Sequence, residues 1–226
     1  MTTAETPIGS FQGFGDRALD FYEGLAADNS RTYWQAHQDV YRTHVAEPLR
    51  ALAAELSVEF GPPKVYRPHR DLRFSADKRP YQEHASMSVG RDGGGLYLAL
   101  SADGLLLAGG YHQPARDQLE RFRRLQDDPD TAADLDAELA ALAERGYPLG
   151  EDGKLRSAPR GWTRDHPRID LLRRTRLAVW AVHQPDEWLH TPACVDVVRD
   201  GWRVVDTWNA WLHANVGPSR QEPAAR

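Results

Sequence analysis

The segment from His69 to Tyr81 concentrates side chains that can carry charge or exchange protons. It contains four cationic side chains, two carboxylates, an imidazole, a serine hydroxyl and a phenol within thirteen residues. A hydrophobic core needs few such groups, whereas a guanidinium forms two parallel hydrogen bonds with a phosphate or a carboxylate. The composition of this segment therefore predicts a site for a small anionic ligand.

Side-chain chemistry suggests a role for each candidate residue of this site. We expect Asp71 to orient the neighbouring arginines, and Tyr81 or His84 to donate a proton if the site carries out a reaction. These three are the candidate catalytic residues, although no motif in the chain names a reaction, so whether the protein is an enzyme stays open. The candidate ligand-binding residues combine cations, a hydroxyl and one aromatic wall: Trp34, Arg70, Arg73, Ser75, Lys78 and Arg160.

Side-chain alternation divides the segment if residues 65–74 form a strand. Four residues would then share one face: Arg67, His69, Asp71 and Arg73. Arg70 would lie on the core side, where an arginine is typically paired internally, so Arg73 is the better candidate to face a ligand. A second interpretation stays open, in which the same charges form an ion-pair network that attaches the strand to the N-terminal helices.

Charge is unevenly distributed along a chain whose net formal charge is −5. Residues 64–84 hold six Lys/Arg against three Asp/Glu (+3), residues 127–152 hold one against nine (−8), and residues 153–176 hold eight against two (+6). The acidic total argues against a protein covered with basic surface for nucleic acid. Two basic segments separated by an acidic one favour a local anion site on an otherwise acidic molecule.

Other classes of site are only weakly indicated. Cys194 is the only cysteine and lies in an apolar pattern typical of a buried helix face, so we expect a packed, unreactive thiol and no disulfide. No metal site and no cofactor are predicted, because the chain lacks paired-histidine metal motifs and helix-opening glycine loops. A metal site formed by His69, His84, His112 and Asp71 is the minor alternative, since dispersed histidines are more often structural. The N-terminus has no signal-peptide pattern and no apolar run has membrane length, which predicts a soluble, cytoplasmic protein without a membrane partner.

The first half of the chain reads as helices followed by strands. Residues 16–60 have apolar positions at helical spacing, with a kink or break expected at Pro48. Residues 64–112 alternate in the manner of antiparallel strands, and Asp103-Gly104 predicts a tight hairpin turn.

The second half returns to helical spacing. A helix is expected from Pro114, and a second one capped by Asp130 is expected to end at Gly146. Residues 177–182 predict one more strand and residues 192–214 a final helix. The predicted fold is α+β, an antiparallel sheet of four to five strands packed against N-terminal and C-terminal helices. We expect a single domain over residues 11–215, with flexible tails at 1–10 and 217–226.

The charged segment also resembles the hallmark of an uncharacterised bacterial and fungal family, domain of unknown function 2461. The matching run is Arg70-Asp71-Leu72-Arg73-Phe74-Ser75-Ala76-Asp77-Lys78-Arg79-Pro80-Tyr81. Flanking elements agree: Asn29-Ser30-Arg31, Tyr33-Trp34, Gly94-Gly95-Leu96-Tyr97-Leu98, Gly109-Gly110-Tyr111 and Pro159-Arg160-Gly161-Trp162. The resemblance spans about residues 11–215 and implies one intact domain of a conserved hypothetical protein. The family has no established activity, so the resemblance marks a site without implying its chemistry.

Two functions therefore remain as expectations. The first is an enzyme or binding domain for a small phosphate- or carboxylate-bearing ligand, with a nucleotide as one candidate. The alternative is a non-catalytic module that binds a protein or nucleic-acid partner, in which the charged cluster is structural. The sequence does not predict the oligomeric state.

Overall fold

The computed structural model describes residues 9–71, 73, 77–90 and 94–220. The fold is α+β, as predicted, with a five-stranded antiparallel sheet. Its strands are β1 (Lys64–Val65), β2 (His84–Val89), β3 (Gly94–Ser101), β4 (Gly104–Tyr111) and β5 (Leu177–His183), in that spatial order. The α-helices are α1 (Ala18–Ala27), α2 (Arg31–Tyr41), α3 (Glu47–Phe60), α4 (Arg116–Arg124), α5 (Pro129–Glu144), α6 (Ile169–Leu172) and α7 (Ala193–Asn215). Within the described ranges, none of the helices has the length and apolar character needed to cross a membrane.

The hairpin between β3 and β4 forms where the sequence predicts it. Gly104 has a φ angle of +111°, which L side chains rarely adopt. A Cβ atom at this position would also lie 2.4 Å from the carbonyl oxygen of His183. The turn therefore requires glycine for both its backbone angle and its close contact.

The expected strand over residues 65–74 is wrong for most of its length. β1 ends at Val65, which pairs with Met87, and the next antiparallel bridge joins His69 to Tyr81. His69 lies four positions after Val65, whereas Tyr81 lies six positions before Met87, so the register shifts by two residues. Pro68 has no N–H group to donate to the ladder, and the alternation rule does not carry through such an irregularity.

The predicted break at Pro48 takes the form of a wider helical turn. Residues Arg42–Ala46 form a π-helical turn between α2 and α3, and Pro48 lies in the first turn of α3. A proline at this position removes the hydrogen bond that would end on the carbonyl of His44. That carbonyl instead accepts the N–H of Gly15 at 3.0 Å, which attaches the N-terminal segment to the turn.

The predicted C-terminal helices are present with one change of cap. Asp128, not Asp130, caps α5, because its carboxylate accepts the backbone N–H groups of Asp130 and Thr131 at 3.0 Å each. Cys194, at the start of α7, is fully buried, and burial raises the pKa of its thiol to about 12. The expectation of a packed cysteine is confirmed, and its lack of reactivity stays a prediction.

The described chain divides into two compact units. The first comprises the described residues of Met1–Val89, Tyr97–Leu107 and Val182–Asp200, and the second those of Gly90–Leu96, Ala108–Ala181 and Gly201–Arg226. Fully buried aromatic and aliphatic side chains fill the first unit: Phe11, Phe14, Phe21, Tyr22, Leu25, Leu49, Leu52, Leu56 and Met87. In the second unit the corresponding side chains include Phe122, Leu135, Trp202, Trp208 and Leu212. The single domain and its two flexible tails stay predictions.

Candidate functional site

The described residues of 69–83, here called the charged loop, belong to the first unit and hold a chain of ion pairs. Asp77 accepts hydrogen bonds from the Arg79 guanidinium, at 3.0 Å from Nε and 2.7 Å from Nη2, and a further one from Nη1 of Arg70. Arg79 also pairs with Glu83. The hydrogen bonds from Arg79, with a contribution from Arg70, hold the pKa of the Asp77 carboxyl well below its usual range. Arg70 and Arg79 are thus joined through one ionised carboxylate.

Arg73 is held in a different way, on the exposed side of the loop. Its Nε lies 3.0 Å and its Nη2 2.6 Å from the Asp71 carboxylate, and its backbone N–H donates to the same carboxylate at 3.2 Å. The side chain of Arg73 is nevertheless 78% exposed. These hydrogen bonds lower the pKa of Asp71, so that its carboxylate is ionised at neutral pH. Nη1 of Arg73 takes no part in this pairing.

Asn29 fixes the backbone of Tyr81, near the end of the charged loop. Tyr81 and His69 form an antiparallel bridge. The backbone hydrogen bonds on either side of it run from the Arg70 N–H to the Pro80 carbonyl and from the Gln82 N–H to the Pro68 carbonyl. The N–H and C=O of Tyr81 therefore point away from His69. The carboxamide of Asn29 meets both groups, accepting the N–H at 3.0 Å and donating to the carbonyl at 3.1 Å. Asn29 thus completes the ladder as a short additional strand would.

The side chain of Tyr81 is 5% exposed and lies in an aromatic cluster. Its ring stacks on Trp34 with centroids 4.4 Å apart and planes inclined by 8°. Trp34 is 9% exposed and also contacts the rings of Tyr41 and His69. The two aromatic residues expected at the site therefore form the support beneath the loop.

His84 lies on β2 with its Nε2 atom 3.3 Å from the hydroxyl of Tyr97 on β3. Burial raises the pKa of Tyr97, and the nearby Ser86 acts in the opposite direction. Burial, together with the positive charge of Arg70, lowers the pKa of His84. The imidazole is therefore neutral at pH 7 and offers one donor and one acceptor nitrogen.

The remaining candidates have different placements. Lys78 is exposed on the loop, while Ser75 lies outside the described residues. Arg160 belongs to the second unit, where it is exposed beside Gly161. Among the described residues, no three His, Cys, Asp or Glu side chains are grouped so that they could hold a metal ion.

Three residues of this region escaped the sequence reasoning. Asn29 is 52 residues from Tyr81, and Tyr97 is 13 residues from His84. Ser86 lies between Ala85 and Met87, and the alternation of these apolar residues predicts a strand without indicating a role for Ser86. The motif that contains Asn29 resembles a motif of the family, but its spacing does not indicate the hydrogen bonds to Tyr81.

Comparison with known proteins gives a family and no further relative. The chain matches no curated protein and no solved structure. The family described as "Conserved hypothetical protein (DUF2461)" matches residues 17–211, which include Asn29, the charged loop, His84 and Tyr97. Because the match extends over most of the sequence, the chain belongs to this family of conserved hypothetical proteins.

Proposed function

We propose that the charged loop binds a small anionic ligand bearing a phosphate or carboxylate, with Arg73 as its principal contact. The observation that carries this proposal is the Arg73 guanidinium, which is oriented by Asp71 while its side chain stays 78% exposed. An arginine held by a carboxylate loses less conformational freedom when it binds, and its planar donors match the oxygens of phosphate or carboxylate.

The charge balance of the loop supports the same function. Residues 69–83 contain four Lys/Arg and three Asp/Glu, a net charge of +1. All three carboxylates pair with arginines of the same segment. The positive excess therefore remains after the internal pairs are counted, on a chain whose total charge is negative. A local positive potential of this kind attracts anions.

The ion pairs divide the cations into two groups. Arg70 is 19% exposed and pairs with Asp77, and Arg79, although 49% exposed, is held by both Asp77 and Glu83, so we assign both arginines to holding the loop in shape. Arg73 and Lys78 are exposed, and we assign them to the ligand. Trp34 and Tyr81 support the loop from below. Ser75 and Arg160 stay proposed ligand contacts on sequence grounds.

The test measures binding of inorganic phosphate by calorimetry and by amide chemical shifts. Arg73→Ala removes hydrogen bonds between a charged donor and the anion, each worth roughly 1.5–3 kcal/mol. We therefore expect its dissociation constant for phosphate to rise by about 10- to 100-fold. Arg42→Ala is the matched control, because Arg42 is also exposed (58%) and also pairs with carboxylates, those of Asp39 and Glu47. It makes the same charge change and is expected to leave phosphate binding unchanged.

The purely structural interpretation gives a different result. If the ion pairs serve only the fold, Asp71→Asn lowers the melting temperature and phosphate binding is equal in the wild type, Arg73→Ala and Arg42→Ala. Equal binding in these three proteins, or no binding to the wild type, refutes the proposed function.

A further inference from the structure

The strand that follows the charged loop presents a polar face in the first unit. Along β2, Ala85 and Met87 are buried apolar side chains, and His84, Ser86 and Ser88 alternate with them on the opposite face, where His84 and Ser88 are partly exposed and Ser86 is buried. A sheet face with an imidazole and two hydroxyls gains little from apolar packing. It is well suited to hydrogen bonding with a polar ligand.

Three polar side chains lie together at one end of this face. The hydroxyl of Tyr97 is 3.3 Å from Nε2 of His84, and Ser86 is close enough to Tyr97 to lower the pKa of that phenol, against the larger effect of burial. We call His84, Ser86 and Tyr97 the hydroxyl face. Each hydroxyl has one donor and two acceptor positions, and the neutral imidazole has one of each. The bond to Tyr97 uses one nitrogen of His84, and Nδ1 of this imidazole takes no part in it.

Arg70 connects the hydroxyl face to the charged loop. Its Nη1 bonds to Asp77 in the loop, and its charge acts on His84. Its Nε is buried and has no hydrogen-bond partner among the described residues. A buried donor without a partner is unfavourable, so an acceptor brought by a ligand at this junction would stabilise the arrangement.

We propose that the hydroxyl face binds hydroxyl groups of the anionic ligand, so that the site selects polyol phosphates or hydroxy acids over anions without hydroxyls. This inference rests on the proposed function, because the charged loop supplies the anion contact. A ligand hydroxyl donates and accepts at once, which matches a neutral imidazole beside a phenol. A bare anion only accepts, and gains little from this face.

Two probes of nearly equal size separate the contributions. Glycerol 3-phosphate and n-propyl phosphate share the phosphate and the three-carbon chain, and differ in two hydroxyls. The wild type is expected to bind glycerol 3-phosphate more tightly. Tyr97→Phe deletes one hydroxyl from the face and is expected to weaken glycerol 3-phosphate by about 3- to 10-fold, the usual range for one neutral hydrogen bond. Its affinity for n-propyl phosphate is expected to stay within twofold of the wild type's.

The chain offers a matched control on the same strand. Tyr66 and Ser88 form a second hydroxyl pair at 2.9 Å, four residues along β2 from His84, which is about 13 Å at the usual rise of a strand. Tyr66→Phe is expected to leave both affinities unchanged, whereas Arg73→Ala weakens both probes. Ser86→Ala, measured alongside, gives the same preference test with a second variant if Tyr97→Phe folds poorly.

The outcomes distinguish the two proposals. Equal affinity of the wild type for both probes, or an unchanged preference in Tyr97→Phe and Ser86→Ala, overturns the hydroxyl face while the anion site stands. Absence of binding by either probe and by inorganic phosphate overturns the proposed function and this inference with it.

Discussion

Replacing Asn29 by alanine is expected to lower the free energy of unfolding by about 2–4 kcal/mol. The substitution deletes the carboxamide that accepts the Tyr81 N–H at 3.0 Å and donates to the Tyr81 carbonyl at 3.1 Å. Because both backbone groups point away from His69, the neighbouring segment offers them no replacement partner. Each partly buried group left without a partner costs roughly 1–3 kcal/mol, so the two groups together cost roughly 2–6 kcal/mol. Partial access of water to these groups places the expected loss in the lower part of this sum.

The assay is urea unfolding followed by far-UV circular dichroism, with a thermal scan as a second measure. For a chain of this size, 1 kcal/mol corresponds to about 2–4 °C, so we expect the melting temperature to fall by roughly 4–16 °C. Phosphate affinity should fall as well, because Asn29 fixes the backbone of Tyr81 near the end of the charged loop.

A second asparagine gives the control for this prediction. Asn215 donates a single bond to the Trp211 carbonyl within α7, and Asn215→Ala is expected to cost less than about 1 kcal/mol. If Asn29→Ala unfolds within 0.5 kcal/mol of the wild type (about the usual error of comparing variants), the account of Asn29 as a substitute for a neighbouring strand is wrong.

Three further predictions concern other parts of the chain. Cys194 should react with a thiol reagent only at the rate of unfolding, because its thiol is buried and has a pKa of about 12; fast labelling of the native protein contradicts this. Gly110→Ala should destabilise by about 3 kcal/mol or more, measured by urea unfolding, because φ is +108° and the new Cβ would lie 2.2 Å from the Leu177 carbonyl oxygen. Asp117, whose pKa is lowered by hydrogen bonds from the Arg220 backbone and from Arg121, contributes stability above its unfolded pKa of about 3.9 that is lost as pH falls towards its folded pKa. Between pH 5 and 3 the urea midpoint of Asp117→Asn should therefore fall less than that of the wild type, and parallel curves would refute the linkage.

Local rules account for the elements that the sequence predicts correctly. The hairpin at Gly104 depends on one turn whose backbone angle needs glycine, and α5 and α7 follow from apolar spacing within single segments. The structural role of Arg70 also follows from the sequence, since the expectation that Arg70 is paired internally agrees with its ion pair with Asp77. These features require only neighbours within a few residues along the chain.

The features that sequence reasoning missed depend on contacts between distant segments. The strand predicted over residues 65–74 is too long, because the pairing of this segment with β2 shifts by two residues. Counting alternate apolar positions does not reveal such a shift. The bond from Asn29 to Tyr81 and that from Tyr97 to His84 join separate elements. Side-chain types indicate that such bonds are possible, but only the folded arrangement selects the partners.

The short β1 strand and the irregular segment after it also bear on self-association. β1 lies at the end of the strand order, where an exposed edge offers unpaired backbone groups to a strand of another molecule. Here only two residues are regular, Pro62 and Pro63 precede them, and Arg67 and Pro68 follow. Prolines lack the N–H that an incoming strand requires, and the shifted register prevents a long, straight edge. The irregular segment that leads from β1 into the charged loop therefore also makes this edge of the sheet a poor template for aggregation.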